Sequence, residues 1–318
     1  MTKKWTPKDL PDLTGRTIIV TGASSGIGLS SAREFAQHGA RVILAVRDVD
    51  KGVRVSSRFS GDTEVLRLDV ADLESVRSFV AEWSGPIDTL INNAGIMLMP
   101  AFRTIDDFEL HIGTNHMGPF ALTNLLLPHI TNRVVTVLSF LHFRGRIHLD
   151  DLNFDHRPYK AINAYEDSKL ANVLFAFELQ RRLDEVHSPV RSIAVHPGIA
   201  RTNLISHVGG LNGAVSKLSQ RLFNSEEQGA WPTLFAATED IRGGSYVGPG
   251  ASSIFVALRA FSDRLRNRVT SPSRANCGTR QRGSRGPVCS HHQLPRNEPR
   301  INGGAGKTSI VELLSSRS

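Results

Sequence analysis

The chain has 318 residues, 40% hydrophobic and 21% charged, enough apolar material for a sizeable core and too much for wholesale disorder. Its formal charge of +8 is unevenly placed: residues 1–250 carry 26 Lys and Arg against 27 Asp and Glu, a net of −1, whereas residues 251–318 carry 12 against 3, a net of +9. The body therefore has no electrostatic bias toward nucleic acid. Both cysteines, Cys277 and Cys289, also follow residue 250, so the body has no thiol for a disulfide or a metal, which suits a reducing compartment. No signal-like apolar run opens the chain and no stretch reaches about 18 uninterrupted apolar residues, so the expectation is a cytoplasmic protein with no membrane span.

In chain order, β-branched runs at 17–20, 42–46, 64–68, 88–91, 133–138, 191–195 and 245–247 read as strands. They are near-continuously apolar, as strands covered on both faces are. Helical patterns fall between them at 27–38, 72–83, 106–127, 163–183 and 225–238, the last opening with the capping box Ser225-Glu226-Glu227-Gln228. The alternation predicts an α/β protein with a doubly wound seven-stranded parallel sheet in the order 3-2-1-4-5-6-7. Residues 1–250 read as a single domain. Beyond Gly250 the apolar periodicity fades, and 251–318 reads as an atypical basic tail, poorly ordered, of the kind an altered reading frame would leave. Two sequences in the tail imitate sites. Gly303-Gly304-Ala305-Gly306-Lys307-Thr308 lacks the first glycine and the preceding strand of a phosphate loop, and Cys277, Cys289, His291 and His292 lack the close pairing of zinc ligands.

Directly after the first strand stands Thr21-Gly22-Ala23-Ser24-Ser25-Gly26-Ile27-Gly28. A strand turning sharply into a helix while a pyrophosphate approaches the backbone needs residues without side chains, and the helix N-terminus offers amides and partial positive charge. The spacing resembles the TGxxxGxG loop of the short-chain dehydrogenase/reductase family, which implies a Rossmann-like fold that binds a dinucleotide. At the end of the second strand an acid would favour NAD; Val46 occupies that place and Arg47 follows, offering a donor fork for a 2′-phosphate. The expected cofactor is NADP(H), with NAD the alternative if Arg47 is only a solvated strand end beside Asp48. Further along, Asp69-Val70 resembles the family's adenine-contacting pair, although Asp69 also reads as a helix cap. Asn92-Asn93-Ala94-Gly95 matches the family's NNAG turn, in which Asn93, Ala94 and Gly95 leave space for the cofactor.

Tyr165 and Lys169 are one helical turn apart in Ala164-Tyr165-Glu166-Asp167-Ser168-Lys169, so a phenol and an ammonium share one face. The ammonium, helped by the oxidised nicotinamide, is expected to draw the phenol below its usual pKa near ~10. The resemblance implies a catalytic set of Asn115, Ser139, Tyr165 and Lys169. In it Ser139 polarises the substrate carbonyl, Tyr165 is the acid–base group, Lys169 orients the nicotinamide ribose, and Asn115 helps hold a proton-relaying water. Relatives place two serines where this chain has Leu138 and Ser139. His116 reads as packing or surface. Pro197, Gly198 and Thr202, after the sixth strand, match the stretch that closes over the nicotinamide, with 203–224 a loop over the substrate.

The 26-residue gap from Ser139 to Tyr165, with His142, Ile147 and Asp150-Asp151-Leu152-Asn153, resembles the retinol-dehydrogenase-like branch, as do the N-terminal KWT and the late GGSYxGP. The light-dependent protochlorophyllide reductases have a cysteine where this chain has Ala171. The resemblance implies an oxidoreductase that interconverts a small-molecule carbonyl and alcohol, lipophilic in character, in a homodimer or homotetramer. The competing readings are a dinucleotide-binding protein impaired in catalysis because its C-terminal closing element is missing, and a nucleic-acid partner held by the tail.

Overall fold

The structure is a computed structural model that describes residues 5–198, 225–249, 254–257 and 269–270, the last two segments by backbone course only. The main sheet has the order β3-β2-β1-β4-β5-β7-β8-β9. Its strands are β1 (Thr17–Thr21), β2 (Arg41–Val46), β3 (Thr63–Arg67), β4 (Ile87–Asn92), β5 (Ile130–Val137), β7 (Arg191–Val195), β8 (Tyr246–Pro249) and β9 (Ile254–Ala257). Neighbours from β3 through β8 run parallel, which is the expected seven-stranded order. The two-residue β6 (Ile147–His148) lies outside that sheet and pairs with β10 (Val269–Thr270). Antiparallel β9, beyond residue 250, adds an edge strand to β8; the two look-alike sequences further along lie outside the described residues.

The helices are α1 (Gly26–Gln37), α2 (Val49–Ser56), α3 (Leu73–Glu82), α4 (Leu110–Ile112), α5 (Gly118–Leu126), α6 (Ala161–Glu185) and α7 (Glu226–Thr238). A π turn, Gly113–Met117, joins α4 to α5. α1 packs on α7 over one apolar cluster that includes Ile18, Val20, Phe35, Leu44 and Leu234. α6 covers a second cluster with Leu138, Leu170 and Val173. The capping box of α7 forms as its sequence predicts. At its other end the buried Arg133 of β5 donates to Ala236 O at 2.8 Å and Glu239 O at 3.0 Å, placing a cation where free carbonyls gather. Trp5 packs edge-on to Phe235 and donates to Glu239, fastening the same helix end.

Three local expectations need correction. α2 had no place among the predicted helices; it is short, carries Gly52 and is capped by Asp48, which accepts from Lys51 N at 2.9 Å. The pattern at 106–127 becomes helical only at Leu110, because Asp107 takes a φ of 64° and Arg103 bridges to Glu109. The cap of α3 is Asp72, not Asp69: Asp72 accepts from Glu74 N and Ser75 N, whereas Asp69 turns its carboxylate to Ala71 N at 2.9 Å.

Candidate active site

The β1–α1 turn is built for close backbone approach. Gly22 has φ 67°, and a Cβ there would stand 3.0 Å from Ala94 Cα. A Cβ at Gly28 would come within 2.3 Å of Asn93 Nδ2. The NNAG turn is in turn fixed on β1: Asn93 N and Ala94 N donate to Thr21 Oγ1 at 3.0 and 2.9 Å, and Asn93 Nδ2 donates to Thr21 O at 2.8 Å. Asn92 donates to Thr123 Oγ1 at 2.7 Å and ties β4 to α5. No side chain caps α1 at Ser25 and no acid stands in its first turn, so its leading amides and the positive end of its dipole are left for an anion. Ser24 and Ser25 lead into this helix start, and Gly26 and Ile27 are its first residues. Arg47 is exposed at the end of β2, with Val46 buried behind it and Asp48 engaged as the α2 cap. Val70 is buried, and a Cβ at Gly118 would meet Val70 O at 1.8 Å, so the start of α5 sits directly on that segment.

The catalytic candidates converge. The Ser139 side chain acts on the Tyr165 phenol and lowers its pKa, and the neighbouring Leu138 is buried in the core. Ser139 also accepts from Leu141 N at 3.3 Å, and its carbonyl lies 2.6 Å from His142 Nδ1. Lys169 Nζ lies 5.8 Å from the centre of the Tyr165 ring and donates to Val137 O at 3.2 Å. That is its one hydrogen bond among the described residues, so a buried ammonium keeps two donors for a polyol or another acceptor. Burial lowers its pKa to about 8. Burial also raises Tyr165, against the Ser139 side chain, which lowers it. Burial of the phenol itself is the dominant cause, so the rise belongs to the protein alone, whereas the drop is expected with the oxidised nicotinamide beside the ring.

Asn115 sits in the π turn, fully buried. Its Oδ1 accepts from Ile96 N at 2.7 Å, and Nδ2 donates to Ile96 O at 3.0 Å and Ser168 Oγ at 2.9 Å. Its carbonyl accepts from Asn172 Nδ2 at 2.8 Å. A Cβ at Gly95 would stand 3.0 Å from Asn115 Oδ1 and 3.4 Å from Lys169 Nζ, so both groups crowd one bare α-carbon. Pro197 and Gly198 follow β7, Gly198 with φ 81° and its N donating to His196 Nδ1 at 3.3 Å. Burial and the neighbouring His142 lower His196 to about 4 and keep it neutral. Thr202 and the substrate loop lie outside the described residues. His116 packs against Phe120 and Phe175, a packing residue as read from sequence. Sequence reasoning missed Ser168 and Asn172, which share α6 with Tyr165 and hold Asn115 from two sides; their i+3 and i+7 offsets from Tyr165 were the available signal.

The residues fit a dinucleotide, by the glycine cradle, the uncapped helix start and the buried amine with spare donors. Residues 16–209 match the short chain dehydrogenase family. The chain is 42% identical to polyprenol dehydrogenase of Mus musculus over 248 residues, 73% of this chain and 74% of that protein. It is 40% identical to retinol dehydrogenase 13 of Homo sapiens over 246 residues, 72% of this chain and 73% of that protein. A crystal structure of an uncharacterised protein from Mycobacterium paratuberculosis superposes with a TM-score of 0.70 at 44% identity, covering 84% of this chain and 99% of that one. Among the described residues no helix is long and apolar enough to cross a membrane, and no group of three metal-ligating side chains occurs.

Proposed function

This chain belongs to the short-chain dehydrogenase family, and from that premise we propose that it is an NADP(H)-dependent reductase of lipophilic aldehydes and ketones that also runs in reverse on the alcohols. The family places it among NAD(P)-dependent oxidoreductases acting on CH–OH groups; the cofactor preference, the substrate class and the residue roles are our reading. A bound nicotinamide supplies or accepts the hydride. The remaining work falls to side chains.

The observation that carries the proposal is the buried Lys169 amine 5.8 Å from the centre of the buried Tyr165 ring, with Ser139 acting on the same phenol. In reduction Ser139 Oγ donates to the carbonyl oxygen and Tyr165 gives it a proton as negative charge develops there. Burial holds Tyr165 as the neutral phenol at pH 7, the form reduction requires. Lys169 steadies the phenolate that remains, and its spare donors suit the ribose hydroxyls of the cofactor. Asn115 fixes the Gly95–Ile96 turn beside that amine. Ser24, Ser25, Gly26, Ile27 and Gly28 would hold the pyrophosphate, with Thr21, Gly22, Asn93, Ala94 and Gly95 shaping the crevice. Asp69 and Val70 would meet the adenine, Pro197, Gly198 and Thr202 the nicotinamide end. Arg47 favours a 2′-phosphate, and Asp48 beside it is engaged as the cap of α2.

Lipophilic substrates are supported by the names of the two mammalian relatives and by Phe140, exposed directly after Ser139, with Phe102 and Ile105 exposed in the loop after the NNAG turn. The test is NADPH oxidation at 340 nm with straight-chain aldehydes of rising length. Each added methylene should raise kcat/KM by about threefold to fourfold until the pocket is filled, the equivalent of ~0.8 kcal/mol per buried methylene. A series that stays flat refutes the lipophilic assignment, and no turnover with any carbonyl or alcohol refutes the activity.

A further inference from the structure

Three residues outside every motif lie behind Tyr165. Glu109 and His111 are buried at the start of α4, and Tyr159 stands just ahead of α6. Glu109 Oε1 lies 2.8 Å from His111 Nδ1, and Oε2 accepts from Ile112 N at 2.8 Å. Burial pushes the Glu109 carboxyl up, but the hydrogen bonds from His111 and Ile112 outweigh it and hold it below its ordinary value. An ionised carboxylate can only accept, so His111 carries its proton on Nδ1 and leaves Nε2 as an acceptor. Met99 N uses that acceptor at 3.2 Å. The Tyr159 hydroxyl donates to Met99 O at 2.8 Å, so both backbone groups of Met99 are held.

The residue before it explains the need. Leu98 has φ 56°, a left-handed backbone that costs a non-glycine residue of order 1 kcal/mol and persists only where its surroundings over-determine it. Two residues earlier, Ile96 is held through both N and O by Asn115. His111 and Asn115 are four residues apart on the α4–π segment, so one stretch of chain grips both ends of the strained span. The His111 ring also meets the Tyr165 ring edge-on, centroids 6.4 Å apart at 74°.

We propose that His111, its tautomer set by Glu109, is a positioning residue that fixes the strained 96–99 span and the Tyr165 ring against each other. The wall of the site and its proton donor are thereby held as one piece. The inference rests on Tyr165 as the proton donor, and its test separates the two. Hydrogen exchange is measured on a peptide covering 96–100 in the full chain, with kcat and NADPH affinity measured alongside. His111→Leu removes the acceptor, and the peptide should exchange about tenfold faster or more while kcat falls about tenfold and NADPH affinity stays within about twofold. His111→Gln can set an amide oxygen where Nε2 stands, and it should recover most of both. Glu109→Gln, nearly isosteric, can donate to Nδ1 and drive the proton to Nε2 against Met99 N–H; it should resemble His111→Leu and serves if the leucine variant fails to fold. Unchanged exchange in either disruptive variant overturns the clamp. Faster exchange with kcat unchanged, or no recovery by Gln, overturns the positioning role. A wild-type chain that binds NADPH and turns nothing over refutes the functional reading, while the exchange measurement still decides the clamp.

Discussion

Replacing Asn115 by alanine probes the junction on which the site is assembled. The amide makes three hydrogen bonds, to Ile96 N at 2.7 Å, Ile96 O at 3.0 Å and Ser168 Oγ at 2.9 Å. Ser168 keeps a second bond, to Tyr165 O at 2.7 Å, so its loss is partial. The two Ile96 backbone groups lose their side-chain partner in a half-buried turn, at about 1–3 kcal/mol each. Residual solvent at Ile96 favours the lower end, so the expected destabilisation is about 2 kcal/mol. Urea unfolding followed by far-UV circular dichroism, without cofactor, measures it. Turnover should fall at least tenfold in the folded variant, because Gly95 lies between the Asn115 amide and the Lys169 amine. Asn115→Asp separates shape from bonding: it keeps an acceptor for Ile96 N but turns a carboxylate oxygen toward Ile96 O, and it should be at least as destabilising. A loss below about 0.5 kcal/mol in Asn115→Ala would refute the reasoning, since that is the range of substitutions that touch nothing important.

Other perturbations follow from single contacts. Gly28→Ala sets a methyl 2.3 Å from Asn93 Nδ2 and 2.8 Å from Gly22 O, so NADPH should no longer raise the melting temperature. Retention of the full shift in that variant refutes the cradle. Arg47→Glu should weaken NADPH at least tenfold and leave NADH nearly unchanged in fluorescence titrations, because it exchanges a phosphate-matched cation for a like charge. Equal effects on both cofactors contradict the assignment. Lys169, with its value lowered to about 8 against ~10.4 in an unfolded chain, binds fewer protons folded than unfolded between those pH values. The stability of the wild type relative to Lys169→Met should therefore rise with pH from 8 to 10.4, by at most about 3 kcal/mol. A difference that is flat or falls with pH contradicts the desolvated amine.

What could be read in the sequence was whatever one short stretch of chain decides. Gly22, Gly26 and Gly28 declare a turn that tolerates no side chains, and Tyr165 and Lys169 declare a shared helix face. Strand order follows from alternation and handedness, which is why the seven parallel strands fall in their expected sequence. The misreadings arise where two local signals compete. Asp69 and Asp72 both precede α3, and only the packing of Ser75 against Asp69 N decides which caps it. α2 hides because Gly52 argues against a helix; the glycine is there because a Cβ would stand 2.6 Å from Val65 on β3. The Glu109, His111 and Tyr159 contacts join side chains up to 50 residues apart around the backbone of one residue, Met99, a coincidence no local pattern encodes. Helical spacing likewise reports the proximity of Tyr165 to Lys169 but not the burial that both groups share, which raises the phenol in the protein alone.

The measurement that tests the central claim most directly is turnover by Tyr165→Phe alongside its NADPH affinity. The substitution removes one hydroxyl and leaves the ring that meets His111 and Lys169. Carbonyl-dependent NADPH oxidation should fall by about 10²–10⁴, the usual worth of a positioned acid–base group, with NADPH dissociation within about threefold of wild type. A phenylalanine variant that keeps a tenth or more of wild-type turnover would contradict the assignment of Tyr165 as proton donor.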